Sequence, residues 1–157
     1  MQLKKLYSSR EVAGMTGLTA RQLQWWDSTG VLAPAVATHR TQAGGFTERR
    51  YTPLDVLELQ ALAELRRRGF TVPRLRQVMA VLKRRFGVRL YETVGDDGAV
   101  VLMCGKDALY AKTPDGGLVD LDNPAQPLLV AEEGLGLKVF VTRDRTRRAK
   151  VRASAGR

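Results

Sequence analysis

The sequence predicts an α+β fold, with about four helices in residues 1–87 and a small, mainly β module in residues 88–141. Two patterns support this division. In the first part, capping residues repeatedly precede runs with helical apolar periodicity. In the second part, short runs rich in β-branched residues alternate with turn signals built from Asp, Asn, Gly and Pro. Residues 142–157 follow as a basic tail that we expect to be disordered.

The charged residues are unevenly distributed along the chain, which carries a formal net charge of +10. Residues 1–87 contain 15 Lys and Arg against 6 Asp and Glu, and residues 142–157 contain 7 against 1. The module in residues 88–141 is acidic, with 4 against 9. Such asymmetry is typical of a nucleic-acid-binding domain joined to an acidic module and a basic tail. The tail is expected either to add phosphate contacts or to be a solvated end.

The composition argues against metal, cofactor and catalytic sites. One cysteine, Cys104, and one histidine, His39, are too few for a metal site of thiolate and imidazole ligands. We expect Cys104 to be a small buried hydrophobe rather than a redox reporter, and residues 120–123 to form a turn rather than a calcium loop. No nucleophile has a base beside it and no glycine-rich phosphate loop occurs, so we predict neither enzymatic activity nor a cofactor.

Nothing in the sequence predicts membrane association. The longest apolar run is far shorter than the roughly 18 residues of a membrane span. The start of the chain, MQLKKLYSS, has no apolar signal core. We therefore expect a cytoplasmic protein without membrane contact.

A first helix is predicted from about Ser9 to Met15. Ser8 can cap this helix and Glu11 can return the capping bond, because Ser and Glu three residues apart form a capping box. A glycine-containing turn at residues 16–18 follows, and a second helix starts at once. Two helices joined in this way form a helix-turn-helix, whose second helix usually enters the DNA major groove. The alternative is an ordinary helical hairpin inside a core.

The second helix is predicted to present a polar surface that suits a polyanion. Thr19 and Gln22 form its capping box, and Gly30 ends it. Leu23 and Trp26 are three residues apart and share the inner face. The outer face has hydrogen-bond donors and no carboxylate, and consists of Arg21, Gln22, Trp25 and Ser28.

Residues 35–51 lack helical periodicity and are expected to form a β-hairpin wing. Two short extended arms flank Gly44-Gly45, which supply the turn. Arginines at the base of such a wing can contact phosphates or the adjacent minor groove. Here these arginines are Arg40, Arg49 and Arg50. Residues 1–87 are therefore predicted to form a winged helix-turn-helix.

Two further amphipathic helices complete the predicted N-terminal domain. Thr52 and Pro53 open the third helix. Its expected core stripe consists of Leu54, Leu57, Ala61 and Leu65. A fourth helix follows and ends at Gly87, and its apolar face is expected to consist of Leu75, Val78, Met79, Leu82 and Phe86. The cations near the ends of these helices, Arg66–Arg68 and Lys83–Arg85, are expected to stabilise the helix dipoles rather than to contact DNA.

Short strands are predicted throughout residues 88–141. The runs with strand-like composition are Val88–Val94, Ala99–Met103, Ala108–Ala111, Leu128–Val130 and Leu137–Val141. Turn signals separate them at residues 96–98, 114–117 and 122–124.

A series of motifs occurs in order within residues 6–82. The segments are Tyr7 to Ala13, Thr16 to Asp27, Gly30 to Pro34, Arg49 to Val56 and Leu65 to Thr71. Together they resemble the MerR family of bacterial transcription regulators. The resemblance implies a winged helix-turn-helix that binds a palindromic promoter site as a homodimer. It also implies that binding often distorts the DNA so that misaligned promoter elements come into register, with RNA polymerase as a further partner. Well-known members continue into a long dimerisation helix, whereas this chain continues into the β module, which is expected to make the dimer contact or to bind an effector.

The resemblance assigns roles to particular residues by position. The family's basic residue near the start of the second helix falls on Arg21, its aromatic pair on Trp25 and Trp26, and its wing arginine on Arg49. This chain departs from the family pattern at Gln24, where many members have arginine. It also has Trp-Trp in place of the usual tyrosine pair, so that an indole N–H replaces a hydroxyl as the donor at Trp25.

These observations predict a double-stranded DNA-binding transcription regulator. Arg21, Gln22 and Gln24 are the candidates for base contact, because arginine prefers guanine and glutamine prefers adenine. The candidate DNA-binding residues are Thr19, Arg21, Gln22, Gln24, Trp25, Arg40, Arg49 and Arg50. One alternative is a phage or mobile-element architectural protein, similar to an excisionase, that bends DNA. Another is a protein-interaction module that uses the acidic β domain.

Overall fold

The computed structural model describes residues 5–34, 49–126 and 135–142. These residues form two compact units, one up to Ala63 and one from Glu64 to Thr142. The boundary between the units falls inside a long helix. The fold is α+β as predicted, with a helix-turn-helix at the N-terminus and a small β region after the last helix.

The first unit is a helix-turn-helix joined to a two-stranded sheet. Its elements are β1 (Tyr7–Ser8), α1 (Ser9–Thr16), α2 (Ala20–Ser28), β2 (Arg50–Tyr51) and the greater part of α3 (Pro53–Arg67). β1 and β2 pair antiparallel, with Tyr7 opposite Tyr51 and Ser8 opposite Arg50. The pairing ties the chain just before α1 to the chain just before α3.

Both predicted capping boxes are present. Ser8 Oγ accepts the Glu11 N–H at 3.2 Å, and Glu11 Oε1 accepts the Ser8 N–H at the same distance. In α2, Thr19 Oγ1 accepts the Gln22 N–H at 3.0 Å, and Gln22 Oε1 accepts the Thr19 N–H at 2.9 Å. Each box satisfies two N–H groups that a helix start leaves unpaired, which fixes the residue at which each helix begins.

Glycines end α1 and α2 as predicted. Gly17 has a φ of 79°, and its N–H donates to the Ala13 carbonyl at 2.9 Å. After α2, Gly30 has a φ of 76°, and the Val31 N–H donates to the Trp26 carbonyl at 2.8 Å, which completes a Schellman motif. Because glycine adopts the left-handed conformation without a steric cost, the turn at Gly17 is short enough for α2 to start three residues later.

The predicted core stripe of α3 is wrong at two positions. Leu54 and Leu57 are 49% and 47% exposed, although Ala61 and Leu65 are buried as predicted. The other buried apolar residues of the helix are Val56, Leu59, Leu62 and Ala63. Helical periodicity alone does not choose between two apolar series on one helix. Glu58 also lies on the buried side of α3, although a charged residue is usually taken to mark the exposed side of a helix.

The second unit contains the end of α3, one further α-helix and a four-stranded sheet. Its elements after α3 are α4 (Val72–Val81), a π-helical turn (Leu82–Phe86), a 3-10 helix (Leu90–Thr93), β3 (Val101–Cys104), β4 (Leu109–Lys112), β5 (Leu118–Asp120) and β6 (Lys138–Val139). The sheet is antiparallel, with the order β5-β4-β3-β6. Of the apolar face predicted for the fourth helix, Leu75, Val78 and Leu82 are buried, whereas Met79 and Phe86 are only partly buried.

The structure corrects the predicted β module at its first run. Val88–Val94 is not a strand, because residues 90–93 form a 3-10 helix in which Leu90 and Thr93 are buried. The Thr93 hydroxyl donates to the Leu90 carbonyl at 2.7 Å. Apolar spacing in so short a run does not distinguish a strand from a single helical turn. The structure also contains β5, a three-residue strand without a counterpart among the predicted runs.

Several predicted features lie outside the described residues. They are the wing segment 35–48 with Arg40, the run Leu128–Val130 and the tail from residue 143 onward. Within the described residues, every helix is too short or too polar to cross a membrane. The same residues contain no group of three or more His, Cys, Asp or Glu side chains suited to a metal ion.

Arginines at the end of α3, directly after it and in α4 make ion pairs within the second unit. Buried Glu64 accepts from Arg67 Nη2 at 2.7 Å and from Arg68 Nε at 3.3 Å. Burial raises the pKa of Glu64, but hydrogen bonds and charge from these two arginines outweigh burial and hold the pKa below its ordinary value. Arg74 donates to both carboxylate oxygens of Asp122, at 2.7 and 2.6 Å. These arginines therefore stabilise the second unit, which agrees with a structural role for the cations at the end of α3.

Cys104 is buried in β3, as predicted, and its burial raises the pKa of the thiol to about 11. Because the thiolate is the reactive form, we expect the folded chain to resist a thiol-specific reagent at pH 8. The same reagent should label the chain rapidly in urea. The measurement is the release of the coloured leaving group from an aromatic disulfide, and rapid labelling of the native chain would contradict the buried position of Cys104.

Candidate nucleic-acid interface

One side of α2 is exposed, and it carries four of the predicted DNA-binding residues. Leu23 and Trp26, which are 1% and 2% exposed, hold the opposite side on the core of the first unit. We call the exposed set the α2 face, and it consists of Arg21, Gln22, Gln24 and Trp25. Trp25 is 50% exposed, although so large an aromatic side chain is usually well buried. The α2 face thus presents an indole N–H, two amides and a guanidinium to solvent, all of which can donate hydrogen bonds.

Arg21 and Gln24 have the chemical groups needed to read base edges. A guanidinium can donate two hydrogen bonds to the O6 and N7 of guanine, and a glutamine amide can pair with the N6 and N7 of adenine. No hydrogen-bond partner for either side chain lies within the described residues. As far as the described residues go, both groups can therefore donate to a ligand.

Gln22 and Thr19 are partly committed to the capping box. The Gln22 amide oxygen accepts the Thr19 N–H, so one of its two lone pairs is engaged and the capping box holds the amide in place. A bidentate contact with adenine needs the amide oxygen and the NH₂ group together, so it would compete with the box. The Thr19 hydroxyl accepts the Gln22 N–H and keeps its own O–H as a donor. Gln24 is consequently better suited than Gln22 to a bidentate base contact.

Arg49 and Arg50 precede α3 and differ in their surroundings. Arg50 lies in β2 and is exposed. Arg49 is only 21% exposed, and its Nε donates to Asp27 Oδ2 at 3.1 Å. The next residue, Tyr51, is fully buried, and burial raises the pKa of its phenol. The ion pair between Asp27 and Arg49 thus connects the last turn of α2 to the backbone segment that buried Tyr51 holds in place.

The partnership between Asp27 and Arg49 is a feature of the candidate site that the sequence did not predict. The two residues are 22 positions apart, so no local pattern links them. One signal was present: Asp27 lies in the last turn of α2, where the helix dipole disfavours a carboxylate. An acidic residue in such a position calls for a nearby cation, and the charge pattern alone does not say which one.

Comparison with known proteins places part of the chain beside helix-turn-helix regulators. Residues 7–82 match a family model described as MerR HTH family regulatory protein. Uncharacterized HTH-type transcriptional regulators of Mycobacterium tuberculosis and Mycobacterium bovis are each 24% identical to this chain over 127 residues. The alignment covers 73% of this chain and 55% of each relative, so the chain spans about half the length of the curated relatives it matches. Residues 7–82, just under half of the chain, are therefore similar to the MerR family of helix-turn-helix regulatory proteins.

Proposed function

We propose that the chain is a sequence-specific, double-stranded DNA-binding transcription regulator that acts as a homodimer. The observation that carries the proposal is the α2 face, an exposed set of donors on the second helix of a MerR-type helix-turn-helix. In proteins of this kind the second helix lies in the major groove with its N-terminal residues against base edges. Arg21 is the second residue of α2 and Gln24 is the fifth of nine, so both precede the last turn, which supports their assignment to base contact.

Base reading is assigned to Arg21 and Gln24. Arg21 would donate to guanine and Gln24 would pair with adenine, and Gln22 would donate through its free NH₂ group. These contacts specify sequence because each base pair presents a distinct pattern in the major groove.

Phosphate contacts are assigned to residues around the α2 face. Trp25 can donate through its indole N–H and Thr19 through its hydroxyl. Arg50 is exposed and Arg49 is held beside α2, so both are suited to a phosphate near the end of that helix. Arg40 is assigned the same role from its place in the predicted wing. Contacts of this kind fix the position of the protein on the duplex without reading its sequence.

The proposal assigns one task to each part of the chain. Residues 1–87 bind DNA, and residues 88–141 make the dimer contact or bind an effector. The acidic character of the second segment supports this division, because a module with a net negative charge is repelled by DNA. A homodimer matches a palindromic site, since the two-fold axis of the protein repeats that of the DNA. The regulator would act in the cytoplasm with RNA polymerase at the promoter, without a cofactor and without catalysis.

The salt dependence of DNA binding tests the assignment of Arg50. Each phosphate contact contributes about 0.9 to the slope of log K against log salt. We expect Arg50→Ala to reduce this slope by about that amount on a duplex bound by the wild type. The matched control is Lys106→Ala, which removes an exposed cation after β3 and should leave the slope unchanged. Fluorescence anisotropy from 50 to 300 mM salt measures the slope.

Sedimentation of the complex measures how many chains bind each duplex. A complex with one chain per duplex would contradict the homodimer.

A further inference from the structure

The Asp27–Arg49 ion pair has a geometry that leaves part of the guanidinium available. Asp27 Oδ2 contacts Arg49 at Nε, at 3.1 Å, rather than at the paired terminal nitrogens. Among the residues that the structure describes, Asp27 is the side chain that forms an ion pair with Arg49. Both Nη groups can therefore donate to another acceptor while the ion pair is intact.

The ion pair also limits how the guanidinium can move. The Arg49 side chain is 21% exposed and that of Asp27 is 24% exposed, so both lie partly within the protein surface. Asp27 is fixed in the last turn of α2, and the backbone after Arg49 enters β2, where buried Tyr51 pairs with β1. A planar guanidinium held at Nε and along its backbone has few remaining orientations. The entropy of ordering a long arginine side chain is then lost on folding rather than on binding.

We infer that Asp27 is a positioning residue, which holds Arg49 so that its two Nη groups donate to one phosphate of the DNA backbone. The inference rests on the proposed function and adds to it the device that orients the phosphate contact. Arginine suits this task because its fork matches two phosphate oxygens while Nε engages a third group. Lysine has a single ammonium group and does not offer the same fixed division of donors.

Because Asp27 is negatively charged, the direction in which its removal changes DNA affinity tests the inference. A carboxylate beside a DNA phosphate repels it, so the removal of Asp27 would strengthen binding if charge alone mattered. If Asp27 orients Arg49, its removal weakens binding instead. The two accounts therefore predict opposite directions for one substitution.

The test measures Kd and the salt slope for Asp27→Ala, Asp27→Asn, Arg49→Ala and the double variant on one cognate duplex. We expect Asp27→Ala to weaken binding roughly three- to tenfold, the size of one well-aligned hydrogen bond, and to reduce the salt slope by up to about 0.9. Asp27→Asn retains an oxygen opposite Nε and should restore part of the affinity. In the Arg49→Ala background, Asp27→Ala should cause no further loss, because no guanidinium remains to be oriented.

Two controls separate this effect from a change in stability or in net charge. Asp97→Ala removes an exposed carboxylate from the second unit and should bind no more weakly than the wild type. Thermal unfolding of each variant identifies a loss of folded chain, and affinities are corrected for the folded fraction. Tighter or unchanged binding by folded Asp27→Ala overturns the inference alone, whereas failure of the wild-type chain to bind any duplex overturns the proposed function. An equal loss for Asp27→Ala with and without Arg49 also overturns the inference, since the carboxylate would then act elsewhere.

Discussion

Trp26→Ala is expected to lower the free energy of unfolding of the first unit by about 3 to 5 kcal/mol, the usual cost of deleting a fully buried tryptophan. Trp26 is 2% exposed and anchors the inner side of α2. Its loss would leave a cavity beneath the helix that carries the α2 face, so DNA binding should fall in parallel with the folded fraction. Urea unfolding followed by circular dichroism, and by the fluorescence of the remaining tryptophan, measures the change.

The adjacent tryptophan provides the matched control. Trp25 is 50% exposed, and Trp25→Ala should change the free energy of unfolding by no more than about 0.5 kcal/mol. If Trp25 donates to a phosphate, this variant should nevertheless bind DNA more weakly than the wild type while remaining folded. Equal destabilisation by the two substitutions would contradict the division of α2 into an inner and an outer side.

Arg21→Ala is expected to cost about 1 to 3 kcal/mol of binding free energy on the cognate duplex, because a bidentate contact with guanine is lost. On duplexes with other base pairs at the contacted position the cost should be much smaller, so the preference for that base pair should disappear. Fluorescence anisotropy on a set of duplexes that differ at single positions measures both quantities. Lys106→Ala serves as the control for the loss of one positive charge. An equal loss on every duplex would show that Arg21 is only a phosphate anchor.

Local signals predicted the start of the fold well. The two capping boxes and the glycines at the ends of α1 and α2 are interactions within a few residues, so the sequence contains all the information they need. The burial of Leu23 and Trp26 and the exposure of Trp25 follow from the same helical periodicity. This part of the structure depends little on contacts with distant segments.

Features that depend on distant contacts were predicted less well. Leu54 and Leu57 were assigned to the core, but the side of α3 that is buried depends on the elements that pack against it. The run from Val88 to Val94 has strand-like composition, yet Leu90 and Thr93 are buried by a 3-10 turn. In both cases the prediction used only local composition and spacing, whereas tertiary partners decide which apolar residues are buried.

The candidate site shows the same distinction. Arg21, Gln24 and Trp25 were predicted from one helix and lie on one exposed side of it. The pairing of Asp27 with Arg49 required the fold, because the two residues are brought together across 22 positions. The sequence therefore indicated candidate groups for DNA contact, and the structure adds a carboxylate beside one of them, for which we propose an orienting role.

In the proposed function, the α2 face reads base sequence in a DNA duplex. The most direct test is the selection of bound duplexes from a randomised library by the wild-type chain, by Arg21→Ala and by Gln24→Ala, at low and at raised salt. The wild type should enrich an inverted repeat at both salt concentrations, and each variant should lose the preference at one base pair per half-site while retaining the rest of the motif. Enrichment of no motif by the wild type, or of an identical motif by all three proteins, would contradict the claim.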